Sequence, residues 1–430
     1  MQNARHRNTA ERSALRRSAD GVRRAGGPRL MRPVLGLAAA VLAAVLLAAC
    51  ATGAGGAAEP PGPQYEIWAL DQGTNLIHII VPDDAAEDGF SVAERVDLGA
   101  WGGGEIDMPH MIDFTSDFRY AFVANPAGAN TAVIRVADRE VVAVLDTGPG
   151  SHMAAVTPGD RQVLVDVIGA GAIVEITLDL ENERFEIGRT LTVREDPLVQ
   201  ERADAFPSDE DGRIIAQPVC HDYTADGRYA YVTLGPALDH GGLVVLDTES
   251  LVLEKVFPVG EIRVNCGTVL GPDGVSMYLN GGSLSEGHWY VFDTRTHEPI
   301  ADAGGALRRT SRGEDAHGLW KTPDGSELWM VNRASSNGIV IDPRTHRVID
   351  DIAWTGESPD ILTFSPDGRF AFVTLRGPNP RSGPHQIAGG TPGVAVIEVA
   401  RREKHALLQP DAGNELSDFH GIGLVPLSGK

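Results

Sequence analysis

Residues 224–234 read TADGRYAYVTL, and residues 365–375 read SPDGRFAFVTL. Each is a tight turn, with Asp-Gly at its tip, running into an alternating run of aromatic and β-branched residues. The same frame returns at 115–125 (TSDFRYAFVAN), 157–167 (TPGDRQVLVDV), 271–281 (GPDGVSMYLNG) and 322–332 (TPDGSELWMVN). A segment that recurs in a fixed frame is one supersecondary unit repeated, and the fold is read from the unit.

Outward from that frame the unit has four strands. A short apolar strand precedes the turn, as in HMIDF (110–114), HMAAV (152–156), HGLWK (317–321) and DILTF (360–364). A third strand follows and ends in an acidic turn: LVVLDTES (243–250), WYVFDTRT (289–296), GIVIDPRT (338–345), VAVIEVAR (394–401). A fourth comes after it, as in LVLEKVFPVG (251–260). Four strands joined by tight turns describe a β-propeller blade. Innermost strands start near His110, His152, His221, Cys266, His317, Asp360 and His420, which makes seven blades. The last of these, DFHGIGLVPL (418–427), has no strands after it, and YEIWALDQGTNLIHII (65–80) has no inner strand before it. The expectation is an all-β, seven-bladed propeller of four-stranded antiparallel blades over residues 65–430. The C-terminal strand joins the N-terminal blade, and that closure removes exposed sheet edges.

Composition agrees. Of 430 residues, 50 are Gly and 27 Pro, which suits many turns and argues against a helical bundle. The net charge of −22 argues against nucleic acid as a partner, since phosphate binding needs clustered Lys and Arg. Hydrophobic residues at 42% suffice for a core and exclude disorder of the bulk.

The first 49 residues read as an address. From Met31, itself a candidate start, the chain runs MRPVLGLAAAVLAAVLLAAC: a basic start, an Ala/Leu/Val run and a small-residue site ending at Cys50. The alternative is an uncleaved membrane anchor. Leu47-Ala48-Ala49-Cys50 resembles a bacterial lipobox. That resemblance implies cleavage before Cys50, a lipid on Cys50, attachment to a membrane, and an extracytoplasmic location. Residues 50–64 then form a flexible tether. The removed segment holds nine Arg and two acids, so the exported chain carries −29.

The repeats resemble the YVTN family of propellers, which share a P-D-G turn followed by Y-V-x-N. The resemblance implies the fold over nearly the whole exported chain and says little of activity, because one fold hosts many functions.

The two faces of such a propeller differ here. Turns on the bottom are tight (PDGR, DTES, DPRT), whereas the top carries the long connections 100–109, 196–218, 302–316 and 376–390. Long irregular loops on one face of a rigid scaffold are where function sits. The inner strands begin on that face, around the channel. His110, His152, Cys266, His317 and Asp360 each fall five residues before the turn residue of their repeat, and His420 takes the equivalent place in the closing strand. In the third blade Val219 holds the place and His221 lies two residues on, on the same face by strand alternation.

The result is an expected ring of five His, one Cys and one Asp. One reading is a metal site: converging neutral imidazoles suit copper or zinc, with a thiolate or carboxylate completing the shell. The other is that the imidazoles only satisfy backbone groups at the channel mouth. The placement resembles the His-lined copper propeller of nitrous oxide reductase and the thiocyanate dehydrogenase-type copper propellers, without any cupredoxin-like domain. Fold resemblance to cytochrome d1-type propellers implies a His-ligated haem as the other cofactor; no CxxCH occurs, which excludes a c-type haem.

Cys220 and Cys266 start neighbouring inner strands. They either pair, as two Cys of an exported protein commonly do, or stay free, leaving Cys266 as a ligand. His240, His288 and His385 stand on top loops, Glu105, Asp107, Asp222, Glu314, Asp315 and Asp418 flank the ring, and Lys321 lies four residues beyond His317 on its strand. No Ser nucleophile elbow, P-loop or dinucleotide fingerprint occurs.

The expected function is metal binding or small-molecule redox chemistry in a lipid-anchored, monomeric propeller. The alternatives are a non-enzymatic surface propeller that binds a protein or glycan through its top loops, and a YVTN-fold lactonase- or lyase-like enzyme. The lipobox is checked first. In a bacterial host that lipidates, the chain is expected in the membrane fraction and to take up labelled fatty acid. Cys50→Ser is expected to lose both; a labelled Cys50→Ser chain would contradict the assignment.

Overall fold

The computed structural model describes residues 64–383 and 387–427. The leader 1–49, Cys50, the tether as far as residue 63, and His385 lie outside the described residues.

Seven antiparallel sheets form the seven blades of a propeller. Their innermost strands are Met111–Phe114, Ser151–Val156, Gln217–Tyr223, Thr268–Leu270, Ala316–Lys321, Pro359–Phe364 and Phe419–Pro426, and we number the blades one to seven in that order. Blade seven is composite. Its inner strand Phe419–Pro426 pairs antiparallel with Tyr65–Asp71, and Leu76–Pro82 and Phe90–Asp97 complete the sheet. Blade four carries an extra short strand, Arg309–Thr310, beside Glu286–Asp293.

The turn that opens each repeat shows why its residues recur. Thr224 Oγ1 donates to Asp226 Oδ1 and accepts from Tyr229 N–H, closing the turn with its own side chains. Gly227 at its tip has φ +69°, a left-handed conformation that favours glycine.

The core is divided among the seams. Alternate residues of each middle strand face opposite neighbours: Tyr120, Phe122 and Ala124 pack toward blade two, while Ala121 and Val123 pack toward blade seven. The hydrophobic residues accordingly fall into seven clusters, one between each adjacent pair of blades. The connection after blade two folds into short helical turns whose Val193, Val199 and Phe206 extend the seam between blades two and three.

The seam between blades six and seven is aromatic. Phe372 is fully buried, with ring centroids 5.4 Å from Phe90 and 6.1 Å from Tyr65. Truncating such a residue loses its transfer energy and leaves a cavity, so Phe372→Ala is expected to cost about 3–5 kcal/mol. A lower urea midpoint at unchanged m-value is the readout; a midpoint within error of wild type would contradict the packing.

Candidate metal centre at the channel mouth

The inner strands do not enter the channel regularly. In blade two the pairing steps from Ser151↔Val167 to Met153↔Asp166, so one extra residue sits in the inner strand. Blades three, five and six do the same between Pro218 and His221, Ala316 and Leu319, and Pro359 and Leu362. The closing strand does it between Phe419 and Ile422. His152, Val219, His317, Asp360 and His420 therefore all lie inside β-bulges, which re-aim a side chain and interrupt the alternation beyond it.

That interruption corrects the place of His221. Pro218 faces Leu234 and His221 faces Val232, so these two share a face and Val219 points the other way. His221 turns back onto blade two, where its Nδ1 lies 2.6 Å from Asp166 Oδ2, while its Nε2 lies 2.9 Å from the hydroxyl of Tyr223 on its own strand. It is a buried inter-blade pair and no part of the ring. Lys321 is likewise displaced from the face of His317 and donates to Leu270 O at 2.8 Å.

Four imidazoles do converge: His110, His152, His317 and His420, in a pocket also lined by Cys266, Asn265, Asp315, Arg333, Ser382 and Gly383. His110 stacks on His420 with ring centroids 3.6 Å apart, and His110 and His152 centroids are 4.3 Å apart. The outer nitrogens fix the tautomers. His152 Nδ1 lies 2.8 Å from Val219 O and His420 Nδ1 3.1 Å from His110 O. A carbonyl oxygen only accepts, so both Nδ1 atoms carry the proton. His110 Nδ1 lies 2.8 Å from Gln72 Oε1; the Gln72 amide is oriented by donating its Nε2–H to Asp418 Oδ2 and Ser382 Oγ. Three imidazoles thus turn unprotonated Nε2 atoms inward. Such a partner behind the ring is what orients a metal-binding histidine.

The inner nitrogens are closely spaced. His110 Nε2 and His152 Nε2 are 2.9 Å apart, and His317 Nε2 and His420 Nε2 3.4 Å. Two imidazole nitrogens bound at 2.0–2.1 Å to one ion stand roughly 2.9–3.4 Å apart as the angle opens from a right angle to tetrahedral. His317, His420 and Asp360 also bring one ligand atom each within 4.8 Å of one another. Asp360 Oδ1 is 3.2 Å from His317 Nε2. The space between them is about 30 Å3, room for about two waters.

Buried charge surrounds the cluster. Arg333 donates to Asp315 Oδ2 at 2.8 Å and to Asp360 Oδ1 at 2.9 Å. Arg376, fully buried, places Nε 3.4 Å from both Asp360 Oδ2 and Asp418 Oδ1. Burial, and then its neighbouring imidazoles, hold His110 well below its ordinary value. Burial and Arg333 do the same for His317, and burial and Arg376 for His420. Burial pushes His152 down to about 4. All four are neutral near pH 7, which is the ligating form.

The cysteines are not bridged. Cys220 and Cys266 are both free and buried, so of the two alternatives the structure has the unpaired thiols. Cys266 Sγ lies 2.6 Å from His317 Nδ1, behind the imidazole, and burial raises its thiol far above the usual range. His288, expected on a top loop, instead lies within the strand Glu286–Asp293, buried against Arg263 O. Asp107 lies on the rim, bound through both oxygens to Arg381 at 2.7 and 3.0 Å.

Arg333, Arg376 and Gln72 were absent from the expected ring, yet their signal is in the repeat. Arg333 and Arg376 each stand eleven residues after their turn residue, Thr322 and Ser365, where the other blades have Pro126, Ile168, Gly235 and Gly282. Gln72 follows the corresponding strand of blade seven.

Comparison with known proteins gives the fold. No family model matches the chain, and no curated protein does. Among solved structures, it resembles a protein from Lactobacillus plantarum at 13% identity and TM-score 0.61, covering 84% of this chain and 99% of that one. It also resembles the periplasmic gluconolactonase of Pseudomonas aeruginosa at 14% identity and TM-score 0.59, covering 85% and 100%.

The imidazoles make stability depend on pH. Unfolded, each takes a proton near pH 6.5, whereas folded they resist it. The unfolded state binds more protons, so stability falls as pH drops through about 6.5 toward about 4. His221 has the opposite sign: burial opposes its charge, but Asp166 prevails and raises it, so its contribution survives acid. The metal-free chain is expected to show a lower urea midpoint near pH 5 than near pH 7, and His152→Phe to narrow the gap. A midpoint that rises on acidification would contradict this.

Proposed function

We propose that the cluster of His110, His152, His317 and His420 holds a transition-metal ion at the channel mouth, where His317, His420 and Asp360 bring their ligand atoms within 4.8 Å of one another. The carrying observation is the pinning of three Nδ1–H groups by Gln72, Val219 and the His110 carbonyl, which leaves their Nε2 lone pairs turned inward. Neutral imidazoles that served only to satisfy backbone groups would have no reason to gather their second nitrogens at 2.9 and 3.4 Å.

The donor set favours copper. Imidazole nitrogens suit copper, zinc, nickel and iron, and copper(II) binds tightest of the divalent ions at a given nitrogen site. The chain's own contribution is to fix the ring orientations from behind, to keep the ligands neutral by burial, and to exclude bulk water. Copper would supply one-electron chemistry or a Lewis acid there. A space of about 30 Å3 suits metal holding, or redox chemistry on a species of very few atoms.

We assign the chain to the YVTN-type propellers on its P-D-G turns and on strands such as F-V-A-N (122–125) and Y-V-T-L (231–234), which approximate the Y-V-x-N of that family. On the lipobox at Cys50 we read it as a lipid-anchored, extracytoplasmic protein. The lactonase and surface-binding alternatives draw on fold and loops and name no residue.

The test is metal content. The full-length chain, loaded with copper or with zinc and desalted, is expected to retain about one equivalent by mass spectrometry, and the copper form to show a visible absorption band. His152→Ala with His420→Ala is expected to retain none while melting as a folded protein. A wild-type chain that retains no stoichiometric metal would overturn the proposal.

A further inference from the structure

The strongest remaining feature lies at the seam between blades four and five, away from the imidazoles. The fourth strand of blade four is broken in two. Glu298–Pro299 pairs with Phe292 and Asp293, Arg309–Thr310 pairs with His288 and Trp289, and residues 300–308 loop out between them. Against Arg347, which opens the outermost strand of blade five, that excursion leaves a pocket of about 490 Å3. Small-molecule sites begin at about 300 Å3.

Arginine dominates the lining. Arg308, Arg309, Arg312 and Arg347 line the pocket with one carboxylate, Asp302, in a chain whose acids outnumber its bases 59 to 37. Two of the four already have partners. Arg312 Nη1 lies 3.0 and 3.1 Å from the two oxygens of Asp351, and Arg308 Nη1 lies 3.6 Å from Glu286 Oε2. Among the described residues, Arg309 and Arg347 make no ion pair. Asp302 instead accepts the Gly304 and Ala306 amides at 2.8 and 2.9 Å.

Arg309 is only 9% exposed. Its Nη1 and Nη2 donate to the carbonyls of Leu307 and Ile300 at 3.1 and 3.0 Å. Its guanidinium stands 5.1 Å from the centroid of the Trp289 ring, and its Nε has no hydrogen-bond partner. Neither a carbonyl nor a ring face brings a full negative charge. Burial outweighs the pull of Asp302 and lowers the group below its ordinary value. A buried cation without a counter-ion and a buried N–H without an acceptor are both costly, and a bound anion relieves both.

The lining selects the anion. All four bases are arginine, whose planar fork matches the oxygens of a phosphate, where lysine offers only a point charge. Two guanidinium groups without ion pairs suit a phosphate monoester, which carries about −1.5 to −2 at pH 7, better than a carboxylate or a sulfate ester with one charge. A phosphate alone fills a small part of about 490 Å3, so an organic body accompanies it.

We propose that Arg309 and Arg347, with Arg308 and Arg312 beside them, bind the phosphate of a small organic phosphomonoester between blades four and five. The site shares no lining residue with the histidine cluster and stands independently of the metal reading.

The probe is phenyl phosphate, titrated by calorimetry at low salt into the full-length chain, stripped of metal and desalted so that no phosphate–metal contact contributes. Saturable binding at one site is expected, with Kd at or below about 1 mM. Inorganic phosphate lacks the organic body and phenyl sulfate the second charge, and each is expected to bind more weakly. Arg347→Glu, at an exposed position, is expected to weaken phenyl phosphate at least about tenfold. Arg309→Lys keeps the charge, loses the fork and is expected to do the same; Arg347→Glu carries the test where Arg309→Lys melts early. Arg369→Gln removes an exposed arginine from blade six and is expected to change nothing. No saturable binding of phenyl phosphate, binding that the folded pocket variants leave unchanged, or a loss that Arg369→Gln shares would overturn the site. Inorganic phosphate or phenyl sulfate binding as tightly as phenyl phosphate would overturn the choice of ligand.

Discussion

Pairing of Phe419–Pro426 with Tyr65–Asp71 closes the ring of blades, and the channel mouth is assembled by it. The strand brings His420 into the stack on His110, with its Nδ1 on the His110 carbonyl. It also carries Asp418, whose carboxylate accepts from Gln72 Nε2, the Gly377 amide and the Arg381 amide. Gln72 follows the partner strand and orients His110. Two segments about 350 residues apart in sequence therefore supply one wall of the cluster. An unclosed propeller would keep most seams and lose the site.

Much of this was legible in the chain. The Asp-Gly turns and alternating strands at 224–234 and 365–375 imply the blade, and the lone strand at 418–427 implies the closure; both are as found. Local pattern suffices there because turn chemistry and strand alternation are decided within a few residues. Six of the seven expected positions gather at the mouth or beside it. His221 does not, because one extra residue in the strand after Pro218 reverses the alternation, and nothing in PVCHD announces a bulge. Arg333 and Arg376 went unread for a different reason. They follow the second strands of their blades, away from the inner-strand starts that were aligned, although their shared place in the repeat was visible.

Electrostatics at the mouth is a balance of buried groups. Neutral imidazoles tolerate burial, while the carboxylates and guanidinium groups must pair to do so. Asp360 is the shared partner, touching Arg333, lying near Arg376 and facing His317 and His420. Burial raises its carboxyl above the ordinary value even between two guanidinium groups, a sign of how far water is excluded.

The direction of the closing strand has a consequence for presentation. It starts at the histidines and runs about 20 Å to Pro426, at the far end of the channel. Gln64 and Leu427 meet there, joined by a backbone hydrogen bond of 2.9 Å. Both ends of the propeller thus depart from the face opposite the imidazoles.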